Sequence, residues 1–208
     1  MADEPNPRCA PCETKHCHTG TDCFGTAEQH LAMYGDSRVA ELHRAASAIE
    51  ARYYCQASRL QETILFAGEM GCKRLGLAFC LGLADEAKVI EKILAQDFEV
   101  VSVCCKLAGI AKRQLKLECI HADNAGEVMC NPAGQADLLN QAHTDLNIIC
   151  GLCVGHDAVF AMMSRAPVTT LIAKDRVLAH NPIGAVYSPY IRRAFERDDK
   201  DVRCGKPH

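Results

Sequence analysis

The chain has 208 residues, 49% hydrophobic and 24% charged, which is enough apolar material for one substantial core and a small appendage, and excludes disorder, collagen and coiled coil. A net charge of −3, from 23 Lys and Arg against 26 Asp and Glu, gives no electrostatic case for nucleic acid or an anionic membrane. The 14 cysteines, with no tryptophan, direct attention to sulfur chemistry rather than to aromatic stacking on a ligand.

Residues 1–26 lack apolar periodicity and carry four cysteines, two histidines and three prolines, so something other than a hydrophobic core must order them. Met1 to Arg8 is acidic and proline-rich with no apolar centre, which predicts no signal peptide and a reducing cytoplasm, where cysteines in number serve metals or catalysis more than disulfides. No run approaches the roughly 18 apolar residues of a membrane span. From Ala27 to about Met70, Val39, Leu42, Ala46, Ile49 and Tyr53 recur at helical spacing and Leu60, Ile64, Leu65 and Ala67 continue it, predicting an α-helical lead-in over 27–70 packed on the core.

From residue 71 to 208 the rhythm becomes α/β. Apolar runs at Arg74–Cys80, Phe98–Cys104, Leu146–Cys150 and Val168–Ala173 alternate with helical stretches at Ala84–Gln96, Pro132–Ala142 and His156–Arg165. Four β-rich runs separated by helices imply a parallel sheet covered on both faces, a three-layer Rossmann-like or flavodoxin-like domain. After Asn181 the pattern predicts a helix and a disordered end.

The densest motif is Cys9-x2-Cys12-x4-Cys17-x5-Cys23. Four converging thiolates suit a [4Fe–4S] cluster or, as the alternative, tetrahedral zinc. The loose spacing of the later pair in one compact run, unlike two distant knuckles, favours the cluster. His16 and His18 read as solvated loop residues. A second set follows from the fold: Cys80, Cys104, Cys105, Cys150 and Cys153 fall at or beyond the carboxyl ends of predicted strands, and Cys130 precedes the helix at Pro132. Ligands of open parallel sheets bind at that edge, where helix dipoles depress thiol pKa values. Because Cys104 and Cys105 point to opposite faces of a continuing strand, one of the two enters the site. Each thiol also has a packing reading, since free cysteine behaves as a small hydrophobe, and Cys55, Cys72, Cys119 and Cys204 read as packing or surface thiols.

The turn Gly151-Leu-Cys-Val-Gly-His-Asp157 places His156 and Asp157 at a helix start, His156 as a general acid or structural donor and Asp157 as a first-turn acid or catalytic group. Lys174-Asp175-Arg176 follows the last strand, where Lys174 and Arg176 could hold an anionic substrate or balance thiolate charge. Neither Gly-x-Gly-x-x-Gly nor a Walker, Gly-x-Ser-x-Gly or His-Glu-x-x-His motif occurs at a suitable place.

Together with the N-terminal cysteines, the blocks Ala78-Phe-Cys-Leu-Gly82, Glu99-Val-Val-Ser-Val-Cys-Cys-Lys106, Met129-Cys-Asn-Pro132, Gly151–Asp157, Lys174-Asp-Arg176 and His180-Asn-Pro182 resemble a domain-of-unknown-function family. Its members are called only metal-binding proteins and come largely from anaerobic bacteria and archaea. The resemblance spans nearly the whole chain and implies a metal centre in an anaerobe's cytoplasm. It singles out Cys80, Cys105, Cys130 and Cys153, and moves Cys150, aliphatic in the family, towards packing. This chain departs from the family in a shorter gap before Cys23, which is followed by Phe24 rather than proline.

The expectation is therefore an iron–sulfur protein with a Cys9/Cys12/Cys17/Cys23 cluster and a second metal or substrate site at the strand ends. Its chemistry would be that of an oxidoreductase or a sulfur-transfer enzyme, with a redox partner protein or a small anionic substrate. The alternatives are a non-enzymatic zinc protein and a metal-trafficking or sensing module.

Overall fold

The computed structural model describes residues 7–196, and the chain divides between Arg52 and Tyr53 into two compact units. Cys204 and the expected disordered end lie outside the described residues. In the first unit, α1 (Ala27–Met33) and α2 (Ser37–Tyr53) follow the cysteine-rich segment. The Asp36 carboxylate starts α2 by accepting the N–H groups of Arg38 and Val39 at 2.9 and 3.1 Å, donors that an isolated helix end leaves unpaired.

The second unit opens with α3 (Arg59–Glu69), whose Ser58 and Gln61 exchange side-chain and backbone hydrogen bonds in a capping box. Then follow β1 (Arg74–Phe79), α4 (Ala84–Leu94), β2 (Glu99–Cys104), α5 (Pro132–Gln141), β3 (Leu146–Cys150), α6 (His156–Met163), β4 (Val168–Ile172), α7 (Gly184–Tyr187) and α8 (Pro189–Glu196). The four strands form one parallel sheet in the order β2-β1-β3-β4, so the expected three-layer α/β class holds.

Alternation along each strand sends side chains to two cores. Leu75, Leu77 and Ile148 pack with Ala67 of α3 and Ala87, Ile90 and Leu94 of α4. Ala78, Val103 and Ile149 pack on the opposite face with Ala136 and Leu139 of α5 and Phe160 of α6. All five residues of β3 are buried, as an inner strand covered by helices on both sides requires. At the amino edge the Asp145 carboxylate accepts the N–H groups of Lys73 and Arg74 at 2.7 and 2.9 Å, tying the entries of β1 and β3 together.

The chain leaves β1 for β2 on one side and then returns to place β3 on the other side of β1. That reversal creates a crevice at the carboxyl ends of β1 and β3, where Cys80 and Gly151 lie, and open α/β sheets bind their ligands at such a point. No helix among the described residues is long and apolar enough to cross a membrane.

Candidate thiol and metal centres

In the first unit, Cys9, Cys12, Cys17 and Cys23 all line one cavity of about 570 Å³, together with Lys15 and His16. A tight turn, Cys12 N–H to the Cys9 carbonyl at 3.2 Å, brings the first pair together. Lys15, held at φ 48°, donates its ammonium to the carbonyls of Cys9 and Ala10, closing the loop over that turn. The Lys15 amide and the Thr14 hydroxyl, with the nearby Lys15 charge, hold the Cys12 thiol below its ordinary range. At the far end, the Asp22 carboxylate accepts the Ala27 amide at 2.9 Å, so Cys23 sits between two anchored turns. All four thiols are exposed. Among the described residues no three His, Cys, Asp or Glu side chains are gathered closely enough to hold one metal ion; the four N-terminal thiols ring a space instead.

At the sheet edge the register decides which thiols meet. Phe79 pairs with Cys104 and with Cys150, so Cys80 and Cys105, one step further on, share the opposite face. Cys80 and Cys105 are buried in the second core, and Cys130 packs against it. The Leu81 N–H donates to Cys105 Sγ at 3.3 Å, and Cys105 lies near enough to Cys80 and Cys130 for both thiols to bear on its titration. Cys130 arrives there because the Asn131 N–H donates to the Cys105 carbonyl at 2.8 Å while the Asn131 side chain caps α5. The three thiols thus form a row with Cys105 in the middle.

Their surroundings pull the pKa values apart. Burial opposes the Cys80 thiolate, but the Gly82 amide, the Lys174 ammonium and the Cys105 thiol outweigh it and lower the Cys80 pKa. Burial, opposed by the Leu81 amide and reinforced by Cys130 and Cys80, pushes Cys105 up to about 12. Lys174 reaches Cys80 past Gly82: a methyl group added at Gly82 would stand 3.3 Å from Lys174 Nζ and 4.0 Å from Cys80 Sγ.

Cys153 has a different partner, the Arg176 guanidinium, which donates to its Sγ at 2.8 Å. Asp175, between the two cations in sequence, accepts the Val177 and Leu178 amides on its Oδ1 at 2.9 and 2.8 Å and fixes the turn that follows. His156 lies among charge: burial first, then Lys106, Arg176 and Lys112 against Asp157, lower its pKa. The Asp157 Oδ1 accepts the Gly155 and Ala158 amides at 2.9 and 2.8 Å, a first-turn role at α6. Cys104 is partly exposed and packs against the second core. Cys150 is buried in the first core, and burial with help from Glu86 pushes its pKa up to about 11.

Sequence reasoning missed two features. Gln135 is fully buried, its Nε2 donating to the carbonyls of Val103 and Phe79 at 2.7 and 3.2 Å, and its Oε1 has no hydrogen-bond partner among the described residues. It clamps β1 and β2 one residue before Cys80 and two before Cys105. The other is Lys112, whose ammonium meets Glu127 at 2.7 Å and the Glu118 carbonyl at 2.8 Å and feels the charge of Cys119 and Cys130. Nothing in the periodicity of that segment signals the pair.

Glu127 also accepts the Ile120 N–H at 2.7 Å, so one carboxylate pins the excursion between β2 and α5. Lys112, then the Ile120 amide, holds the Glu127 carboxyl below its ordinary range against burial. A folded pKa below the unfolded value contributes stability above the unfolded pKa and loses it as pH falls through the folded one. The protection of the Ile120 amide, measured against its intrinsic exchange rate at each pH, is accordingly expected to be high at neutral pH and to fall below the ordinary carboxylate range. Glu127→Gln should show the low protection already at pH 7, and a protected Ile120 in that variant would contradict the assignment.

The model of a protein-of-unknown-function family matches residues 17–171. The chain belongs to the DUF1847 family. The matched span contains Cys80, Cys105, Cys130 and Cys153 and bears out the expected membership. This DUF1847 chain is also 47% identical over 184 residues, covering 88% of its own length and 95% of the other's, to the uncharacterized protein MJ0455 of Methanocaldococcus jannaschii. No solved structure matches the DUF1847 chain.

Proposed function

We propose that the protein is an iron–sulfur protein in which Cys9, Cys12, Cys17 and Cys23 hold a [4Fe–4S] cluster, and in which the sheet-edge thiols form a separate substrate site for redox or sulfur chemistry. The observation that carries the first half is the lining of a single cavity by all four N-terminal thiols. A single tetrahedral zinc draws its four sulfurs to about 2.3 Å from one point, whereas a cavity of about 570 Å³ has room for a polynuclear centre. The donor set fits as well: four thiols, with Lys15 beside them to offset thiolate charge. A cluster bound there would supply one-electron transfer. Cys12, the thiol whose pKa is lowered, would be the readiest to give up its proton to a metal.

The second half rests on the row Cys80–Cys105–Cys130 and on Lys174 and Arg176 beside the thiols. A row with one thiol between two others suits stepwise sulfur chemistry more than ligation around a point, and the cations favour a negatively charged substrate.

Purification under anoxia with iron and sulfide analysis tests the reading. The expected result is a brown protein with about four irons and four sulfides per chain, and iron loss in Cys17→Ser but not in Cys55→Ser. A colourless protein with one zinc per chain would overturn the cluster in favour of a zinc site.

A further inference from the structure

We propose that Cys80 and Cys105 form a dithiol that reduces small, negatively charged disulfides, with Cys80 attacking and Cys105 resolving. The inference deepens, and rests on, the reading of the sheet edge as a substrate site.

The register supplies the geometry. Phe79 and Cys104 are Cα partners across β1 and β2 and the Cys105 N–H donates to the Phe79 carbonyl at 2.9 Å, so Cys80 and Cys105 continue the same ladder by one step. Adjacent strands lie about 4.8 Å apart, inside the Cα separation of about 4.4–6.8 Å that a disulfide spans. The two side chains emerge on one face and are buried in the same core cluster. Closing the bond therefore needs side-chain rotation rather than movement of the sheet.

Access and charge assign the roles. Cys80 lies beside Leu81 and Gly82, both exposed, with the Lys174 ammonium 3.3 Å from where a side chain at Gly82 would begin. Cys105 lies deeper, at 2% exposure against 9% for Cys80, and its sulfur is held by the Leu81 amide. An incoming disulfide meets Cys80 first, and negative charge on that disulfide meets Lys174 and, beside Cys153, Arg176.

The chemistry balances without another reactant. The Cys80 thiolate attacks one sulfur of R–S–S–R, that S–S bond breaks, and the first RS⁻ leaves, with R–S– now bonded to Cys80. Loss of the Cys80 charge removes one of the groups that kept Cys105 protonated. Cys105 then gives its proton to the departing thiolate and attacks Cys80 Sγ, forming the Cys80–Cys105 disulfide and expelling the second RS⁻. Two electrons pass from the protein thiols to the substrate, which leaves as one thiol and one thiolate. Gln135, bonded to the carbonyls of Phe79 and Val103, holds the two strand ends at constant separation throughout.

The test uses the full chain with its bound iron, under anoxia, and one equivalent of dithiobis(nitrobenzoate), a dianionic aromatic disulfide. Release of two equivalents of thionitrobenzoate is expected, with peptide mapping recovering the Cys80–Cys105 disulfide. Cys105→Ser should release one equivalent and keep the other on Cys80, and Cys80→Ser should react about ten-fold or more slowly. Of two aliphatic reagents with similar leaving groups, cystamine, a dicationic disulfide, should react about ten-fold or more slowly with the wild type than dithiodipropionate, a dianionic one. A disulfide mapped to other cysteines, two equivalents released by Cys105→Ser, or equal rates for the two aliphatic reagents would overturn the proposal. The mapping reads the wild-type chain and so stands even if a variant fails to fold. Iron and sulfide content of the same samples reports separately on the N-terminal cluster. Sheet-edge thiols that hold a second metal instead would reveal themselves by metal lost in Cys80→Ser.

Discussion

Gly76→Ala is expected to lower the unfolding free energy by about 3 kcal/mol, the upper range for forcing extra volume into a packed core. A methyl group at this position would stand 2.0 Å from Asn147 Oδ1 and 2.8 Å from Leu139 Cδ1. Neither neighbour is free to yield. Asn147 is fully buried on β3, its Oδ1 accepting the Thr144 hydroxyl at 2.7 Å and its Nδ2 donating to Ser164 Oγ at 2.8 Å, and Leu139 is fully buried in α5. Moving Asn147 would strand buried polar groups, at about 1–3 kcal/mol each. Chemical denaturation of Gly76→Ala, Asn147→Ala and the double variant checks this: the double variant should be markedly less destabilised than the sum of the singles, because the clash disappears with the side chain. Additive effects would mean that the two residues do not meet.

Lys174→Met should slow alkylation of Cys80 by neutral iodoacetamide at pH 7 roughly ten-fold, the factor carried by a lost charge-assisted hydrogen bond of about 1.4 kcal/mol. The sign follows from the Cys80 surroundings. Lys174, with the Gly82 amide and the Cys105 thiol, stabilises the thiolate against burial, so its removal lets burial act and the thiolate fraction at neutral pH falls. A neutral reagent separates this effect from attraction of a charged one. The pH profile of alkylation, followed at the Cys80 peptide by mass spectrometry, should move to higher pH in Lys174→Met. An unmoved profile would place Lys174 away from the thiol in solution.

The strands were legible because each is a short apolar run bounded by turn residues, and helices at known spacing between them leave a parallel sheet as the arrangement that buries both faces. Expected and observed strands coincide from Leu146 to Cys150 and differ by one residue at one end elsewhere. The candidate site was legible only in part. That Cys80 and Cys130 reach one edge follows from their places at a strand end and a helix entry. Which of the vicinal pair Cys104 and Cys105 joins them depends on register, and one residue of slip exchanges every side chain between the faces. The same parity sends Cys150 to the first core while Cys80 and Cys105 join the second.

Lys112 and Glu127, fifteen residues apart in a segment without periodicity, and Gln135, a polar residue on a buried helix face, give no sequence signal at all. Their roles exist only once the excursion folds back on itself and α5 docks over the strand ends. Local order, hydrophobic period and cysteine spacing are properties of neighbours along the chain, and from these the amino acids alone dictate an α/β class, four parallel strands and a clustered N-terminal thiol motif. The thiol row, the opposite pulls on the Cys80 and Cys105 pKa values, and the placing of Lys174 and Arg176 arise from contacts between segments far apart in the chain. Those contacts depend on burial and distance, which only the packed sheet and its loops supply.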